Sequence, residues 1–217
     1  PSIEAIYLPL PNSLHCEWAL RAMRAGKHVL CEKPLALNAR EADEMARTAH
    51  ACGVYLMEAF MYRYTDRLAK VGALYDIGCY PLNLIGMIAR TEPVAVAVEC
   101  TRTKGVDVNL SAVLRYADGL IATLHCGFDT FARNYSEVVG TEGALLIPDT
   151  FLDEAGVITL LTKTETRRIT VEHSDRYGEE ILDFSLAIRD KRAPRLSLEE
   201  SVRNMRVLDH IRDAMPR

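Results

Sequence analysis

The sequence predicts an α/β segment followed by an α+β segment. Over residues 3–58, short apolar runs alternate with helical patterns, and such alternation is typical of parallel strands joined by helical crossovers. Over residues 94–171, strand-like runs follow one another, with helical patterns before and after them, which indicates an antiparallel sheet flanked by helices. We therefore expect half of a doubly wound parallel sheet in residues 1–70 and a mostly antiparallel, open-faced sheet domain in residues 71–217.

Three strands and two helices are predicted in the first segment. The strands correspond to the apolar runs at residues 3–8, 28–31 and 54–58. The first helix is expected over residues 15–25, with Asn12 or Ser13 as its N-cap, because both side chains accept hydrogen bonds from free helical N–H groups. The second helix is expected to follow Asn38 and to end before Gly53, since glycine tolerates the left-handed conformation that terminates helices.

The second segment opens with a helical pattern over residues 74–89, in which Pro81 must either kink the helix or mark the start of its regular part. Strands are expected next, at residues 94–103, 108–116, 120–128, 136–139, 144–147, 156–161 and 167–171. Asp118-Gly119 predicts a hairpin turn between the second and the third of them. Helices over residues 179–190 and 198–214 close the chain, and these final helices can pack back on the first domain.

Composition narrows the classes of protein to which the chain can belong. Hydrophobic residues make up 49% and charged residues 26% of the 217 residues, a balance that excludes a disordered chain. The net charge of −4 argues against a nucleic-acid-binding protein, which usually carries a basic excess on one face. No apolar run approaches the roughly 20 residues that a membrane-spanning helix needs.

The cysteines and histidines show no spacing typical of a metal site or a redox pair. Neither a Cys-x-x-Cys nor a His-Glu-x-x-His pattern is present. Because most of the cysteines lie among apolar neighbours, we predict mostly buried free thiols instead of disulfides or zinc ligands, and no protein-bound metal. Because no leader-like segment precedes the first strand, we expect the protein in the reducing cytoplasm.

The densest group of polar residues follows the second predicted strand. Residues 26–35 read Gly-Lys-His-Val-Leu-Cys-Glu-Lys-Pro-Leu, which puts Glu32 and Lys33 at the carboxyl end of that strand. Residues 8–15, Leu-Pro-Leu-Pro-Asn-Ser-Leu-His, follow the first strand at the same edge of the sheet, where open α/β sheets bind their ligands. The alternative interpretation is a surface loop with a solvated Glu–Lys pair.

These two segments together resemble the Gfo/Idh/MocA family of NAD(P)-dependent oxidoreductases. The family signature combines Pro/Thr-Asn-x-x-His with Gly-Lys-His-Val-x-x-Glu-Lys-Pro, and residues 11–15 and 26–34 follow it. Three later segments agree in the family's order, at residues 57–63 (Met-Glu-Ala-Phe-Met-Tyr-Arg), 72–81 (Gly-Ala-Leu-Tyr-Asp-Ile-Gly-Cys-Tyr-Pro) and 138–143 (Val-Val-Gly-Thr-Glu-Gly). The resemblance is closest to the branch of D-xylose 1-dehydrogenase and dimeric dihydrodiol dehydrogenase, and it implies a Rossmann domain in residues 1–70.

The resemblance also implies hydride transfer between the hydroxyl of a sugar or cyclic diol and NADP or NAD, with NADP slightly preferred. Such a reaction needs a base for the hydroxyl proton and a cation beside the forming alkoxide. Lys33 is the expected cation and Tyr80 the expected proton acceptor, because a neighbouring ammonium lowers the pKa of a phenol from its usual value of about 10. Asp76, four residues before Tyr80 on the same helical face, is expected either to hold Lys33 or to orient a substrate hydroxyl.

Lys33, Asp76 and Tyr80 are thus the predicted catalytic and substrate-binding residues. The residues that the resemblance implies for the cofactor are Leu10, Pro11, Asn12, His15, Glu32, Lys33 and Arg63. Two of these residues also have simpler interpretations. Tyr80 could be a packing residue with its hydroxyl at the rim of the protein, and His15 could cap its helix or pack against it. Arg63 has the alternative of a local ion pair.

Two features depart from the family pattern. The Gly-x-Gly-x-x-Gly loop that holds a dinucleotide pyrophosphate is absent from the sequence, and by resemblance it is expected ahead of Pro1. The family also places a helix and the first strands of the sheet domain where Lys70 and Val71 are adjacent here. Either the sequence lacks residues that the protein possesses or the gene is truncated, and the intact catalytic motifs favour the first explanation.

In an alternative hypothesis, the chain has the same fold but does not catalyse a reaction. A binding or regulatory protein that senses NAD(P) or a sugar is favoured by the missing glycine loop, whereas the presence of Lys33, Asp76 and Tyr80 favours the enzyme. As partners we expect a small sugar or diol substrate and no nucleic acid or membrane. Because family members often dimerise through the outer face of the sheet, we also expect a homodimer or a higher homo-oligomer.

Overall fold

The computed structural model describes residues 3–59, 72–131, 133–152 and 155–216. They group into two compact units, Pro1–Asp129 with Leu182–Arg217, and Thr130–Ile181. The predicted boundary at residue 70 and the predicted cofactor residue Arg63 lie outside the described residues, so the division of the chain into residues 1–70 and 71–217 stays a prediction. Among the described helices, none is both long enough and apolar enough to cross a bilayer.

The first unit begins with three parallel strands separated by two helices. The elements are β1 (Ala5–Leu8), α1 (His15–Arg24), β2 (His28–Glu32), α2 (Ala39–Cys52) and β3 (Leu56–Ala59). The strands lie in the order β1-β2-β3, and each neighbouring pair is parallel. The loops after β1 and β2 therefore open at the same edge of the sheet, and the predicted α/β segment is confirmed.

The ends of α2 are those predicted. Asn38 is its N-cap, and the Asn38 side chain accepts the N–H of Glu41 at 3.0 Å. Gly53 follows the helix with a φ of 62°, a conformation that glycine adopts without the steric penalty of a Cβ atom. The Asn38 cap therefore fixes the end of the short connection from β2 to α2, which carries Lys33.

The start of α1 corrects a prediction, since neither Asn12 nor Ser13 caps this helix. A 3₁₀ turn over Asn12–Leu14 precedes α1, and no side chain caps the turn or the helix. The turn starts at the Pro11 carbonyl, which accepts the N–H of Leu14 at 2.8 Å. Asn12 and Ser13 therefore lie inside the turn and not ahead of the free N–H groups that a cap must reach.

The second sequence segment begins with a π-helical turn over Leu74–Gly78, which continues into α3 (Cys79–Ala89). Pro81 lies in the first turn of α3, where a proline is tolerated because its missing N–H is least needed. Of the two predicted alternatives, a kink or the start of the regular helix, the structure shows the second. Tyr80, just before this proline, is buried.

An antiparallel sheet follows α3 in the order β4-β5-β6. Its strands are β4 (Ala95–Thr103), β5 (Val106–Arg115) and β6 (Ile121–Gly127). Asp118 and Gly119 form the predicted turn between β5 and β6, and the Asp118 carboxylate accepts the N–H of Leu120 at 3.0 Å. Burial alternates along the strands, so one face of this sheet is largely buried and the other is exposed.

The second unit is an antiparallel meander. Its strands are β7 (Tyr135–Val139), β8 (Gly143–Pro148), β9 (Gly156–Thr162) and β10 (Thr166–Val171), in the spatial order β10-β9-β8-β7. A Cβ atom at Gly143 would lie 2.2 Å from the Leu161 carbonyl oxygen of β9, so this position needs a glycine for the close approach of the two strands. The antiparallel pairing predicted for the second segment is confirmed, but its described strands form two sheets where the sequence predicts a single sheet.

Two helices close the chain, α4 (Arg176–Asp190) and α5 (Leu198–Ala214). A capping box starts α5, in which Ser197 Oγ accepts the Glu200 N–H at 3.2 Å and the Glu200 carboxylate accepts the Ser197 N–H at 3.1 Å. Met205 in α5 is completely buried, and the helix contacts both α2 and α3. Within the first unit, α5 therefore joins the helices of both sequence segments.

Candidate active site

Lys33 is the first residue after β2, at the carboxyl edge of the parallel sheet. Its backbone N–H donates to the Ala59 carbonyl of β3 at 3.1 Å, and its side chain is only 8% exposed. The ammonium nitrogen Nζ donates to the backbone carbonyl of Asp76 at 2.8 Å and to Asp76 Oδ1 at 3.1 Å. Asp76 thus contacts Lys33, as one of its two predicted roles requires.

The backbone carbonyl of Asp76, in the π-helical turn, is contacted by two side chains. Lys33 Nζ donates to it at 2.8 Å and the Cys79 thiol at 3.6 Å. The carbonyl and the carboxylate of one residue therefore fix the position of the ammonium group.

Tyr80 lies one helical turn beyond Asp76 and is 5% exposed. Lys33 Nζ lies 4.8 Å from the centroid of the Tyr80 ring, which is within the range of a cation–π contact. The structure therefore brings together the three predicted catalytic residues, although Lys33 precedes Asp76 by 43 positions in the chain. Their roles toward a substrate stay predictions.

Cys79 directly precedes Tyr80 in the chain and is buried. Burial raises the pKa of its thiol to about 12, while the Lys33 ammonium acts to lower that pKa and the carboxylates of Glu58 and Asp76 act to raise it. A thiol with such a pKa is protonated and unreactive near neutral pH. Cys79 is therefore a packing residue beside Tyr80 and not a nucleophile.

His15 connects the loop after β1 to the loop after β2. It is 1% exposed, and its Nδ1 and Nε2 atoms lie 3.0 Å from the Pro34 carbonyl and 2.7 Å from the Leu10 carbonyl. A neutral imidazole can donate to one of these carbonyls and an imidazolium to both. Burial lowers the pKa of His15 against the opposing effects of the carbonyls and of Glu32, so the ring is neutral near pH 7. Both ring nitrogens face backbone, and the predicted contact with the cofactor stays a prediction.

The other described residues predicted for the cofactor line the edge formed by the ends of β1 and β2. They are Leu10, Pro11, Asn12, Glu32 and Lys33, and all of them except the Lys33 side chain are at least partly exposed. The Tyr7 hydroxyl donates to Glu32 Oε1 at 2.5 Å, which orients that carboxylate. The hydroxyl groups of a nucleotide ribose can donate to a carboxylate and accept from an ammonium, so Glu32 and Lys33 at this strand edge fit a dinucleotide.

Two further residues at this edge, Glu58 and Tyr7, are not predicted as site residues from the sequence. Glu58 is the third residue of β3, is 1% exposed, and accepts the N–H of Leu35 through Oε1 at 2.7 Å. A signal for Glu58 exists in the sequence, since it is the charged residue at the end of an otherwise uncharged strand pattern. Tyr7 offers no comparable signal, because tyrosine is common in strands for reasons of packing alone.

Two family profiles match the chain. Residues 1–60 match the oxidoreductase family with an NAD-binding Rossmann fold, and residues 47–146 match the GFO/IDH/MocA C-terminal domain. A relative from Haloferax volcanii, D-xylose 1-dehydrogenase (NADP(+)) 2, is 33% identical over 251 residues, which cover 97% of this chain and 77% of the relative. The chain belongs to the Gfo/Idh/MocA family. The predicted family and the oxidoreductase class are thereby confirmed.

Other members of the Gfo/Idh/MocA family are also similar to the chain. Trans-1,2-dihydrobenzene-1,2-diol dehydrogenase of Xenopus tropicalis is 26% identical over 214 residues, which cover 81% of this chain and 64% of the relative. The crystal structure of KijD10, a 3-ketoreductase from Actinomadura kijaniata in complex with TDP-benzene and NADP, matches with a TM-score of 0.83 at 28% identity. That match covers 98% of this chain and 78% of KijD10, and it confirms the predicted fold class.

These comparisons bear on two alternatives left open by the sequence. The relatives are named as dehydrogenases and reductases, and none supports a catalytically silent sensor. The alignment with the Haloferax volcanii relative is longer than the chain of 217 residues, so this relative has residues with no counterpart here. The junction of Lys70 and Val71, where such residues are expected, lies outside the described residues.

Proposed function

We propose that the chain oxidises a secondary or hemiacetal hydroxyl of a sugar or cyclic diol, with transfer of hydride to NADP or NAD. The observation that carries the proposal is the ammonium group of Lys33, which is held by Asp76 and lies against the ring of Tyr80. The names of the relatives, for D-xylose and for a trans-dihydrobenzenediol, support this class of substrate.

In this proposal Lys33 supplies the positive charge. Negative charge builds up on the hydroxyl oxygen as its proton leaves, and a fixed cation beside that oxygen stabilises the transition state. Two hydrogen bonds to Asp76 hold the ammonium in place before the reaction, so little reorganisation is needed. Because the Lys33 side chain is buried, its interaction with the developing charge is stronger than in water.

Tyr80 is the proposed proton acceptor. A cation beside a phenol favours its ionised form, and Lys33 Nζ lies 4.8 Å from the centroid of the Tyr80 ring. The phenolate takes the hydroxyl proton, and the hydrogen on the carbon leaves with its electron pair as hydride, so that a carbonyl forms and charge balances. When bound, the nicotinamide supplies the hydride acceptor.

The proposed cofactor site is the edge formed by the ends of β1 and β2. Its residues are Leu10, Pro11, Asn12, His15, Glu32, Lys33 and, outside the described residues, Arg63. Glu32 would accept a hydrogen bond from a ribose hydroxyl, and Lys33 would donate one. NADP is preferred to NAD in this proposal, because one relative is named for NADP and the KijD10 structure contains it.

The test is a turnover assay that follows the absorbance of reduced nicotinamide. Purified protein is mixed with NADP⁺ or NAD⁺ and with a panel of D-xylose, other aldoses and trans-dihydrodiols. We expect reduction of the cofactor with at least one of these substrates. Cofactor binding without turnover across the whole panel would reject the proposal.

We also propose a homodimer formed through the exposed face of the sheet of β4, β5 and β6. Val113 and Ile121 are exposed on this face, where large apolar side chains favour burial against a partner. Val113→Lys and Ile121→Lys are expected to convert a dimer into a monomer in light-scattering measurements. Met87→Lys, at an exposed residue of α3, is the control that should stay dimeric, and a monomeric wild type contradicts this assembly.

The proposed compartment is the cytoplasm. All six cysteines are free thiols, as is usual for proteins kept in a reducing environment. Cell fractionation should recover the protein with cytosolic markers. Recovery with exported proteins would contradict the proposal.

A further inference from the structure

We infer that Glu58 is a positioning residue of this site, which fixes the loop carrying Lys33 through the backbone N–H of Leu35. The inference rests on the proposed function, because it concerns the alignment of the catalytic ammonium. Glu58 is the third residue of β3 and is almost completely buried. Its Oε1 accepts the Leu35 N–H at 2.7 Å, which is a short bond for a backbone donor and a carboxylate.

β3 holds the loop on both sides of Pro34. The Lys33 N–H donates to the Ala59 carbonyl at 3.1 Å, and the Leu35 N–H donates to the Glu58 side chain at 2.7 Å. The first bond continues the pairing of β2 with β3, in which Glu32 lies opposite Ala59. The second bond lies beyond the end of that pairing. Without Glu58, β3 would hold only one end of the peptide segment that directs the Lys33 side chain.

A carboxylate at this place is unfavourable unless it forms such a bond. The other residues of β3, Leu56, Met57 and Ala59, are apolar and buried. An ionisable group among them loses its hydration, a cost that a leucine or methionine would not carry. Either of those side chains would fill the space but could not accept the Leu35 N–H. The acceptor oxygen is therefore the property of Glu58 that the loop uses.

The charge of Glu58 also acts on residues of two neighbouring elements. Burial raises the pKa of Cys31 in β2, and the Glu58 carboxylate raises it further. At Cys79 in α3, where burial again has the largest effect, the Glu58 carboxylate and the Lys33 ammonium act in opposite directions. Glu58 therefore lies within electrostatic reach of both the strand before Lys33 and the helix that carries Tyr80.

Two variants of Glu58 distinguish the effect of the hydrogen bond from the effect of side-chain packing. Glu58→Gln keeps an acceptor oxygen on a side chain of the same length, whereas Glu58→Met keeps the volume without the acceptor. We expect Glu58→Met to lower kcat by about tenfold to a hundredfold, since small misplacements of catalytic groups have effects of this size. KM for the sugar or diol should change little, and Glu58→Gln should restore most of the turnover.

Glu41 offers a matched control from the same connection. Its Oε2 accepts the N–H of Leu37 at 3.2 Å, on the exposed side of the connection between β2 and α2. Glu41→Gln and Glu41→Met are therefore expected to keep kcat close to that of the wild type. If Glu58→Met does not fold, Glu58→Asp replaces it, because the shorter side chain withdraws the acceptor from Leu35.

Amide hydrogen exchange tests the bond independently of turnover. The Leu35 N–H should exchange faster in Glu58→Met than in the wild type or in Glu58→Gln. If the wild type is active and Glu58→Met is equally active, or if Glu58→Gln is as impaired as Glu58→Met, the inference is overturned while the proposed function stands. A wild type that is inactive with every sugar and diol overturns the proposed function instead, and the role of Glu58 falls with it.

Discussion

The ammonium nitrogen of Lys33 lies 4.8 Å from the centroid of the Tyr80 ring. A cation near the face of an aromatic ring is stabilised by about 0.5–2 kcal/mol, and the upper part of that range applies to desolvated pairs. Both side chains are buried, and Asp76 orients the ammonium from the preceding helical turn. The contact depends on the ring and not on the hydroxyl, so the two parts of Tyr80 can be tested separately.

Tyr80→Phe is expected to lower kcat by about 10²–10⁴-fold, the usual contribution of a general base. Because the ring stays against Lys33, cofactor affinity and the midpoint of thermal unfolding should change little. Steady-state kinetics and cofactor titration measure these effects. Tyr55→Phe is the control, since the Tyr55 ring packs on His28 just before β3 and its loss of a hydroxyl should leave turnover unchanged. Near-normal kcat in Tyr80→Phe would refute the assigned role.

Lys33→Met and Asp76→Asn are expected to lower kcat by different amounts. Lys33→Met removes the cation and should lower kcat on the order of 10³-fold, as for other preorganised groups that stabilise an oxyanion. Asp76→Asn leaves the backbone carbonyl that accepts from Lys33 Nζ at 2.8 Å, so we expect a loss of about tenfold, equivalent to roughly 1.4 kcal/mol. Asp43→Asn, which breaks a partly exposed pair with Arg206, is the control. Equal losses in the first two variants would mean that Asp76 acts on the substrate itself.

Most of the fold can be predicted from local signals. Asn38 and Gly53 mark the ends of α2 because each residue type suits one backbone conformation there. The start of α1 shows where such signals stop being sufficient. Asn12 is a good cap by residue type, but a turn that starts at the Pro11 carbonyl places Asn12 inside the helical region. A cap needs a particular backbone conformation, which the residue type favours but does not determine.

The candidate site is predictable in part for a similar reason. Helical spacing puts Asp76 and Tyr80 on one face, and strand order puts Lys33 at the sheet edge. The bond from Lys33 to the Asp76 carbonyl cannot be predicted, because it joins residues 43 positions apart and depends on how the helical turn packs against the sheet edge. The bond between Glu58 and Leu35 joins residues 23 positions apart, and it depends on the packing of β3 against the loop.

Asp209→Ala is expected to lower the free energy of unfolding by about 2 kcal/mol, since hydrogen bonds to charged groups contribute roughly 1.5–3 kcal/mol. From α5, Asp209 Oδ2 accepts the N–H of Ala39 at the start of α2 at 2.7 Å, and Oδ1 accepts the hydroxyl of Tyr75 at 3.2 Å and bonds to Arg212 at 2.6 Å. Urea denaturation measures the change. The control is Asp213→Ala, because Asp213 also pairs with Arg212 but is 69% exposed and should contribute little. Equal losses in the two variants would contradict the prediction.

Asp183, in α4, is expected to make the stability of the fold depend on pH. Burial acts to raise the pKa of its carboxyl, but the N–H of Arg195 at 2.7 Å and the guanidinium of Arg192 at 2.6 Å outweigh burial and hold that pKa below its ordinary value. The folded protein therefore binds this proton more weakly than the unfolded chain, in which the pKa of aspartate is about 3.9. The resulting stabilisation is complete above that pH and is lost as the pH falls through the lower pKa of the folded state.

Asp183→Asn removes this ionisation, so the loss of stability that it causes should be largest near neutral pH and should shrink below about pH 4. Urea denaturation of wild type and variant at a series of pH values measures the difference in free energy of unfolding. Glu17→Gln is the control, because Glu17 forms an exposed pair with Arg21 that should contribute little at any pH. A difference between wild type and Asp183→Asn that stays constant from neutral to acidic pH would mean that the Asp183 carboxyl acts through packing alone.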